Sequence, residues 1–265
     1  MCWVETASKN HGMAAVKAAP LDPPDLAARL AATARQAGFV TTPYGAIDGC
    51  PLLALTRRVP GPRPRIYLSA GIHGDEPAPP LTLLALLEQG FFDDRAHWFI
   101  CPMLNPAGLA RGTRENPTGV DLNRDYKHLQ SPEIQAHVRW LQQQPNFTAC
   151  LSVHEDWESK GYYLYELNPT GRHSLAEEML AAVAPVCPID HSPIIDGREA
   201  KAGILRPVAD PALRELWPES IYLRAHHSTL TYTLESPSAF PLEQRIAAHQ
   251  AALTTAVSWL TRTKP

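Results

Sequence analysis

Residues 71–80 read "GIHGDEPAPP" and follow directly on the apolar run "RIYLSA". Imidazole and carboxylate groups at the edge of a core are costly unless something pairs with them. A metal ion, a catalytic dyad and a helix cap each account for His73 and Glu76. A histidine and a glutamate three residues apart, at a strand-to-helix turn, reach one cation. A second histidine from a neighbouring strand, His154 in "LSVHED", completes a His₂Glu set. That is a catalytic zinc pattern, with three protein ligands and an open position for water. His-x-x-Glu alone is common surface decoration. The preceding apolar strand and the flanking glycines, which permit a tight turn, make "GIHGDEP" far more specific. "HEDWE" is not the helical zinc motif HExxH, because position 158 is Glu.

Zinc lowers the pKa of a bound water towards about 7. A nearby carboxylate then takes the water's proton and passes it to a leaving amine. Glu235 in "TLTYTLESPS" suits this role, since an acid ending an otherwise apolar strand is costly if idle. A cap on the following loop is its plainer reading. The loop "NPAGLARGTRENPTGVDLNRDY" carries Arg111, Arg114, Asn123 and Arg124. Arginine offers a rigid, permanently charged fork that suits a carboxylate.

These residues need a scaffold that gathers them. The spacing predicts a helix over "DPPDLAARLAATARQAG", with prolines at its start and glycine after its end. "FVTTPYGAIDGCPLLALTRRV" reads as a hairpin broken at Gly45 and Gly49. "RIYLSAGI" is a short apolar strand buried on both faces. Helix, strand and loop then alternate through "PAPPLTLLALLEQG", "HWFICPML" and the arginine-bearing loop. "SPEIQAHVRWLQQQ" is a helix with Ser131 as its N-cap. "FTACLSVHED", "GYYLYEL" and "STLTYTLESPS" are strands, "RHSLAEEMLAAVAPV" and "PLEQRIAAHQAALTTAVSWLTR" are helices, and Cys187–Pro218 is a long excursion. This order implies one α/β domain over 21–265, preceded by a flexible arm over 1–20. Its sheet is mixed, mostly parallel and twisted, with helices on both faces. In such sheets ligands bind at the carboxyl ends of the strands. His73 and Glu76, Asn105, His154 and Glu235 each follow or end a strand, all at that same edge.

The totals narrow the class. A 265-residue chain that is 45% apolar builds one sizeable core. A formal charge of −3 gives no electrostatic case for nucleic acid or an anionic membrane. Five scattered cysteines without a CxxC pair argue against a disulfide framework and a thiolate zinc site. The first residues lack the basic start and apolar stretch of a signal peptide, and no run is long enough to span a membrane. The expectation is a cytoplasmic protein.

In order and content, "GIHGDEP", "NPAG…R…GVDLNRDY", "LSVHED" and "YTLES" resemble the signature segments of the carboxypeptidase A-like zinc carboxypeptidases. The resemblance covers about residues 64–260. It implies a phosphorylase/hydrolase-like fold, one zinc ion per chain on His73, Glu76 and His154, and Glu235 as general base. It further implies Arg114 polarising the scissile carbonyl, and Asn123 and Arg124 holding the substrate's terminal carboxylate. The short "TR…DLNR" interval is closer to the compact murein-peptide amidases and to the succinylglutamate desuccinylase/aspartoacylase group.

The expected activity is hydrolysis of an amide next to a free carboxylate. Its substrate is a peptide, murein peptide included, or an N-acyl amino acid cut by a deacylase. The deacylases of the group add a C-terminal β domain. Here about thirty residues follow Glu235, in one helix, which favours the peptidase form. A non-catalytic zinc- or peptide-binding module is the alternative of another class. It would be expected to lose the base or the oxyanion arginine. Two features depart from the digestive enzymes. Their third ligand is followed by Ser-Tyr, where this chain has Glu155 and Asp156. These acids orient a ligating imidazole, or face the cleft and attract an ammonium group on the substrate. The mobile tyrosine of that family has no certain match; Tyr222, Tyr162 and Tyr163 are its candidates.

Overall fold

The computed structural model describes residues 21–208 and 210–262. The expected arm over 1–20 lies outside the described residues. Two prolines and the side chain of Asp22, which accepts the Asp25 N–H, start helix α1 (Pro23–Gln36). Strands β1 (Val40–Ile47) and β2 (Cys50–Arg57) form the expected hairpin. Its turn is Asp48-Gly49, both at positive φ, a conformation that suits the twist of paired strands. Gly45 lies inside β1 at a register shift rather than at a break.

Strand β3 (Arg65–Ala70), helix α2 (Ala78–Glu88) and strand β4 (His97–Cys101) follow as the pattern predicts. The polar loop after β4 is more ordered than its composition suggests. It contains helix α3 (Pro106–Arg111), capped by the Asn105 side chain, and a 3₁₀ turn at Leu122–Arg124. Helix α4 (Pro132–Leu141) has Ser131 at its N-cap position, but without a side-chain cap bond. The Ser131 hydroxyl donates to Asp125 instead, at 2.6 Å. Strands β5 (Ala149–Asp156) and β6 (Tyr163–Leu167) and helix α5 (Ala176–Val183) come next.

The excursion after Cys187 carries the small hairpin β7 (Ile194–Ile195) and β8 (Arg198–Glu199), then β9 (Ile204–Leu205). Helix α6 (Glu219–His226), absent from the sequence expectation, precedes β10 (Thr231–Pro237). Helix α7 (Leu242–Arg262) closes the described chain.

Eight strands form one mixed sheet in the order β1-β2-β4-β3-β5-β10-β6-β9. Its centre, β4-β3-β5-β10, is parallel throughout. One face packs on α1, α2, α5 and α7 through Leu30, Leu83, Met179 and Leu253. The other packs on α4 and α6 through Ile134, Val138, Tyr222 and Leu223. From β3 the chain crosses to β4 on one side and then to β5 on the other. The crevice between the carboxyl ends of β3 and β5 is therefore the topological switch point, where open α/β sheets bind ligands. Cys50, Cys101, Cys150 and Cys187 are buried free thiols, as the scattered spacing predicts. Among the described residues, no helix is long and apolar enough to cross a membrane.

Candidate metal centre and active site

The turn after β3 holds His73 and Glu76 at the switch point, and its shape depends on two glycines. Gly71 has φ +65°, which L side chains rarely adopt. A Cβ on Gly74 would lie 1.9 Å from the Gly108 carbonyl carbon, so the turn can lie against α3 only without one. His154 ends β5, and Glu235 is its register neighbour on β10, so the two share the face that packs on α4 and α6.

The structure brings the three predicted ligands together. His73, Glu76 and His154 are all buried, and one donor atom from each lies within 4.8 Å of the others. Glu76 bridges the imidazoles, with Oε1 2.5 Å from His73 Nδ1 and Oε2 3.1 Å from His154 Nδ1. His73 Nε2 lies 3.2 Å from Asp121 Oδ1. If Nε2 carries the proton of a neutral ring, the Nδ1 lone pair faces a carboxylate oxygen. Only a positive species, a proton or a metal ion, satisfies that pair. Without a metal a proton takes the place. Burial alone would depress His73, but the Glu76 and Asp121 carboxylates raise it to about 9. Burial would raise Glu76, yet both imidazoles hold it well below the usual carboxylate range. The donor set thus fits a divalent cation of the zinc type: two nitrogens, one carboxylate, no thiolate.

Asp121 is the residue the sequence reading missed. Burial would raise its carboxyl, but the His73 contact and the charges of His73, Arg114 and Arg124 hold it low. It orients His73 through the ring nitrogen that faces away from Glu76, the usual part of a carboxylate behind a ligating histidine. It also accepts from Arg114, whose Nε and Nη2 lie 3.2 and 3.1 Å from Oδ2. Arg114 Nη1 is 3.9 Å from Glu76 Oε1. One aspartate therefore ties the candidate ligand to the candidate oxyanion donor. Its position in "GVDLNR", two residues before Asn123, was the available signal.

Glu235 is buried, and that burial pushes its carboxyl well above the usual range. Asn123 is buried too, and its Oδ1 accepts the Glu219 N–H at 2.9 Å. Because an N–H only donates, this bond assigns the amide orientation and leaves the NH₂ as the free donor. Arg124 is exposed and donates one bond to the Asn123 carbonyl at 2.8 Å. His73, Glu76, Arg114, Asn123, Arg124 and Glu235 line one cleft of ≈ 870 Å³, where Arg111, Arg198 and Arg214 add further cations.

The acids after the third ligand separate. Glu155 points to the opposite face of the sheet. Its Oε1 accepts the Ala78 N–H at 2.6 Å, and Oε2 pairs with Arg245. Pro79 and Pro80 leave Ala78 as the one N–H donor at the start of α2, and Glu155 satisfies it. Both its oxygens are engaged and neither bonds to His73 or His154, although the residue borders the cleft. Asp156 lines the cleft and accepts from the Tyr163 hydroxyl at 2.8 Å. Of the candidate tyrosines, Tyr222 is packed in the core against Tyr126, and the Tyr162 hydroxyl meets His249. Tyr163 alone of the three lines the cleft, opposite Glu235 in the strand register.

Comparison with known proteins bears on the family and the fold. The family profile "Succinylglutamate desuccinylase/Aspartoacylase catalytic domain" matches residues 62–257. A protein of Shewanella baltica described as a metallopeptidase superposes with a TM-score of 0.78 at 22% identity, covering 89% of this chain and 91% of that one. A metallo-carboxypeptidase of Burkholderia cenocepacia gives a TM-score of 0.67 at 19% identity, covering 88% of this chain and 67% of the other. Carboxypeptidase SOL1 of Arabidopsis thaliana is 30% identical over an alignment of 112 residues that covers 34% of this chain. The matched part spans only 23% of that plant protein.

Proposed function

Because the chain belongs to the succinylglutamate desuccinylase/aspartoacylase catalytic-domain family, we propose that it is a zinc-dependent hydrolase of the carboxypeptidase type. It cuts an amide bond next to a free carboxylate. One observation carries this reading: the buried His73–Glu76–His154 set opens, beside Glu235, onto a cleft that continues to Asn123 and Arg124.

A zinc ion held by His73, Glu76 and His154 would supply Lewis acidity and make an attacking water more acidic. Glu235 takes the proton of the attacking water and returns it to the leaving amine, and its burial favours the proton-accepting role. Arg114 donates to the oxygen on which negative charge develops, held near by Asp121. Arg124 and the free NH₂ of Asn123 hold the terminal carboxylate and fix which bond is presented.

A second reading, an N-acyl amino acid deacylase, is favoured by the family match and shares every chemical step. A cleft of ≈ 870 Å³ lies towards the upper end of the range for drug-sized ligands, about 300–1,000 Å³. That size supports a peptide. The test is a panel of free-carboxylate peptides, their C-terminal amides and N-acyl amino acids, assayed with and without a chelator. The carboxypeptidase reading expects chelator-sensitive release of the last residue from free-carboxylate peptides. Turnover of N-acyl amino acids alone would move the assignment to a deacylase. Equal turnover of amides would contradict both.

A further inference from the structure

Glu219 begins α6 at 1% exposure, buried between α6 and strands β3 and β5. A carboxylate buried without a cation partner is costly, so its retention needs a reason. Three hydroxyls hold it. Tyr67 donates to Oε1 at 2.7 Å, while Ser69 and Ser152 donate to Oε2 at 2.7 and 3.0 Å. Tyr67 and Ser69 belong to β3, and Ser152 belongs to β5. β3 leads into the turn that holds His73, and β5 carries His154 near its end. The same residue's main-chain N–H is the one bonded to Asn123 Oδ1.

The contacts continue into a closed circuit. Tyr67 spends its proton on Glu219, so its oxygen accepts from His137 Nε2, 2.9 Å away. Burial pushes His137 down to about 3, so its ring is neutral and Nδ1 is left as an acceptor. The Tyr126 hydroxyl donates to it at 2.7 Å. Tyr126 lies three residues after Asn123. Residues 123–126 are thus held at both ends: at Asn123 by the Glu219 backbone, and at Tyr126 by a relay that ends on the Glu219 carboxylate.

We propose that Glu219 is a positioning residue for carboxylate recognition. It locks Asn123 and the segment through Tyr126 to the strands that carry the candidate ligands. Resting on the function proposed above, it sets the distance between the terminal-carboxylate site and the metal centre, and so fixes which bond is cut. Ser220 and Ile221, the next residues of α6, line the cleft, so the same anchor fixes that wall. A merely structural role would cost stability and leave recognition intact.

The test is a double-mutant cycle of Glu219→Ala with Asn123→Ala. It is read as the preference for a free-carboxylate peptide over its amide. Wild type should prefer the free acid by about tenfold to a hundredfold. Glu219→Ala should lower that preference by about threefold or more, through KM, with kcat within about twofold of wild type. In the Asn123→Ala background the Glu219 substitution should change the preference by clearly less than it does in the wild-type background. If Glu219→Ala does not fold, Tyr67→Phe breaks the same circuit and enters the cycle in its place. An unchanged preference in a folded variant, or effects that multiply independently, overturns the proposal.

The same cycle is read by calorimetry with L-phenylalanine against L-phenylalaninamide, ligands that have no peptide bond to cut. Wild-type protein that does not distinguish acid from amide contradicts the assigned function. Discrimination that survives Glu219→Ala contradicts only the positioning role.

Discussion

The two walls of the cleft are built differently. On the metal wall His73, Glu76 and His154 are at most 3% exposed and bond mainly to one another and to Asp121. They end parallel strands or begin the next turn, where backbone pairing sets their positions. On the recognition wall the Arg114 side chain is 34% exposed, Arg124 is exposed, and both sit on a segment of short helices and turns. That segment is held at a few points: Asp125 on Ser131, Asn123 on α6, Tyr126 on His137. The metal wall is therefore specified by the sheet, and the recognition wall by side-chain bonds between distant elements. Chemistry should fail all at once when the first is altered, while selectivity should change by degrees with the second.

The largest effect should come from Glu235→Gln. The change keeps shape and removes the proton acceptor, so kcat should fall by about 10²–10⁴ with metal content unchanged. A kcat near wild type would break the catalytic half of the comparison. Next is Arg124→Lys on the opposite wall. An ammonium does not reproduce the guanidinium fork, so kcat/KM on free-carboxylate peptides should drop by about tenfold to a hundredfold. Amidated peptides should lose far less, and an equal loss on both would remove Arg124 from recognition.

A pH effect sharpens the contrast through His137. Its folded pKa is about 3, against an ordinary value near 6.5, because burial disfavours the charged ring. The unfolded chain binds the proton first. The stabilising contribution is full above about pH 6.5 and is lost as pH falls towards 3. At pH 5 the loss is about 2 kcal/mol, to be read as a flatter pH dependence of urea unfolding in His137→Gln. Parallel slopes in the two proteins would remove His137 as the cause. The smallest effect concerns Asp156, which lines the cleft and accepts from Tyr163, whereas Glu155 is held by Arg245. Asp156→Asn should shift the preference between lysine- and norleucine-ending peptides by about twofold to fivefold. An unchanged ratio leaves an amine-bearing substrate without support from this residue.

What the sequence made legible follows the same division. His73, Glu76, His154 and Glu235 were readable because each lies on or beside a strand whose apolar run announces itself. Parallel pairing then brings the ends together. Asp121 was not, since its partner His73 lies 48 positions away and only the fold joins them. The role of Glu155 stayed open in the sequence because an acid next to a candidate ligand looks like part of the site. The alternation of β5 turns it to the other face, where Arg245 and the proline-rich start of α2 need it. Helix α6 escaped because eight residues behind a proline-rich excursion give too short a period to read. With it went Glu219, whose role depends on three hydroxyls from two other strands.

Metal titration of the stripped protein tests the central claim most directly. Zinc is added back in steps while hydrolysis of a free-carboxylate peptide and its amide is followed. The account predicts no turnover without metal, and a rise to a plateau at about one zinc per chain. It also predicts a preference for the free acid, and no recovery in His73→Ala or His154→Ala. Full hydrolysis by the stripped protein, or normal zinc binding by both histidine variants, would contradict it.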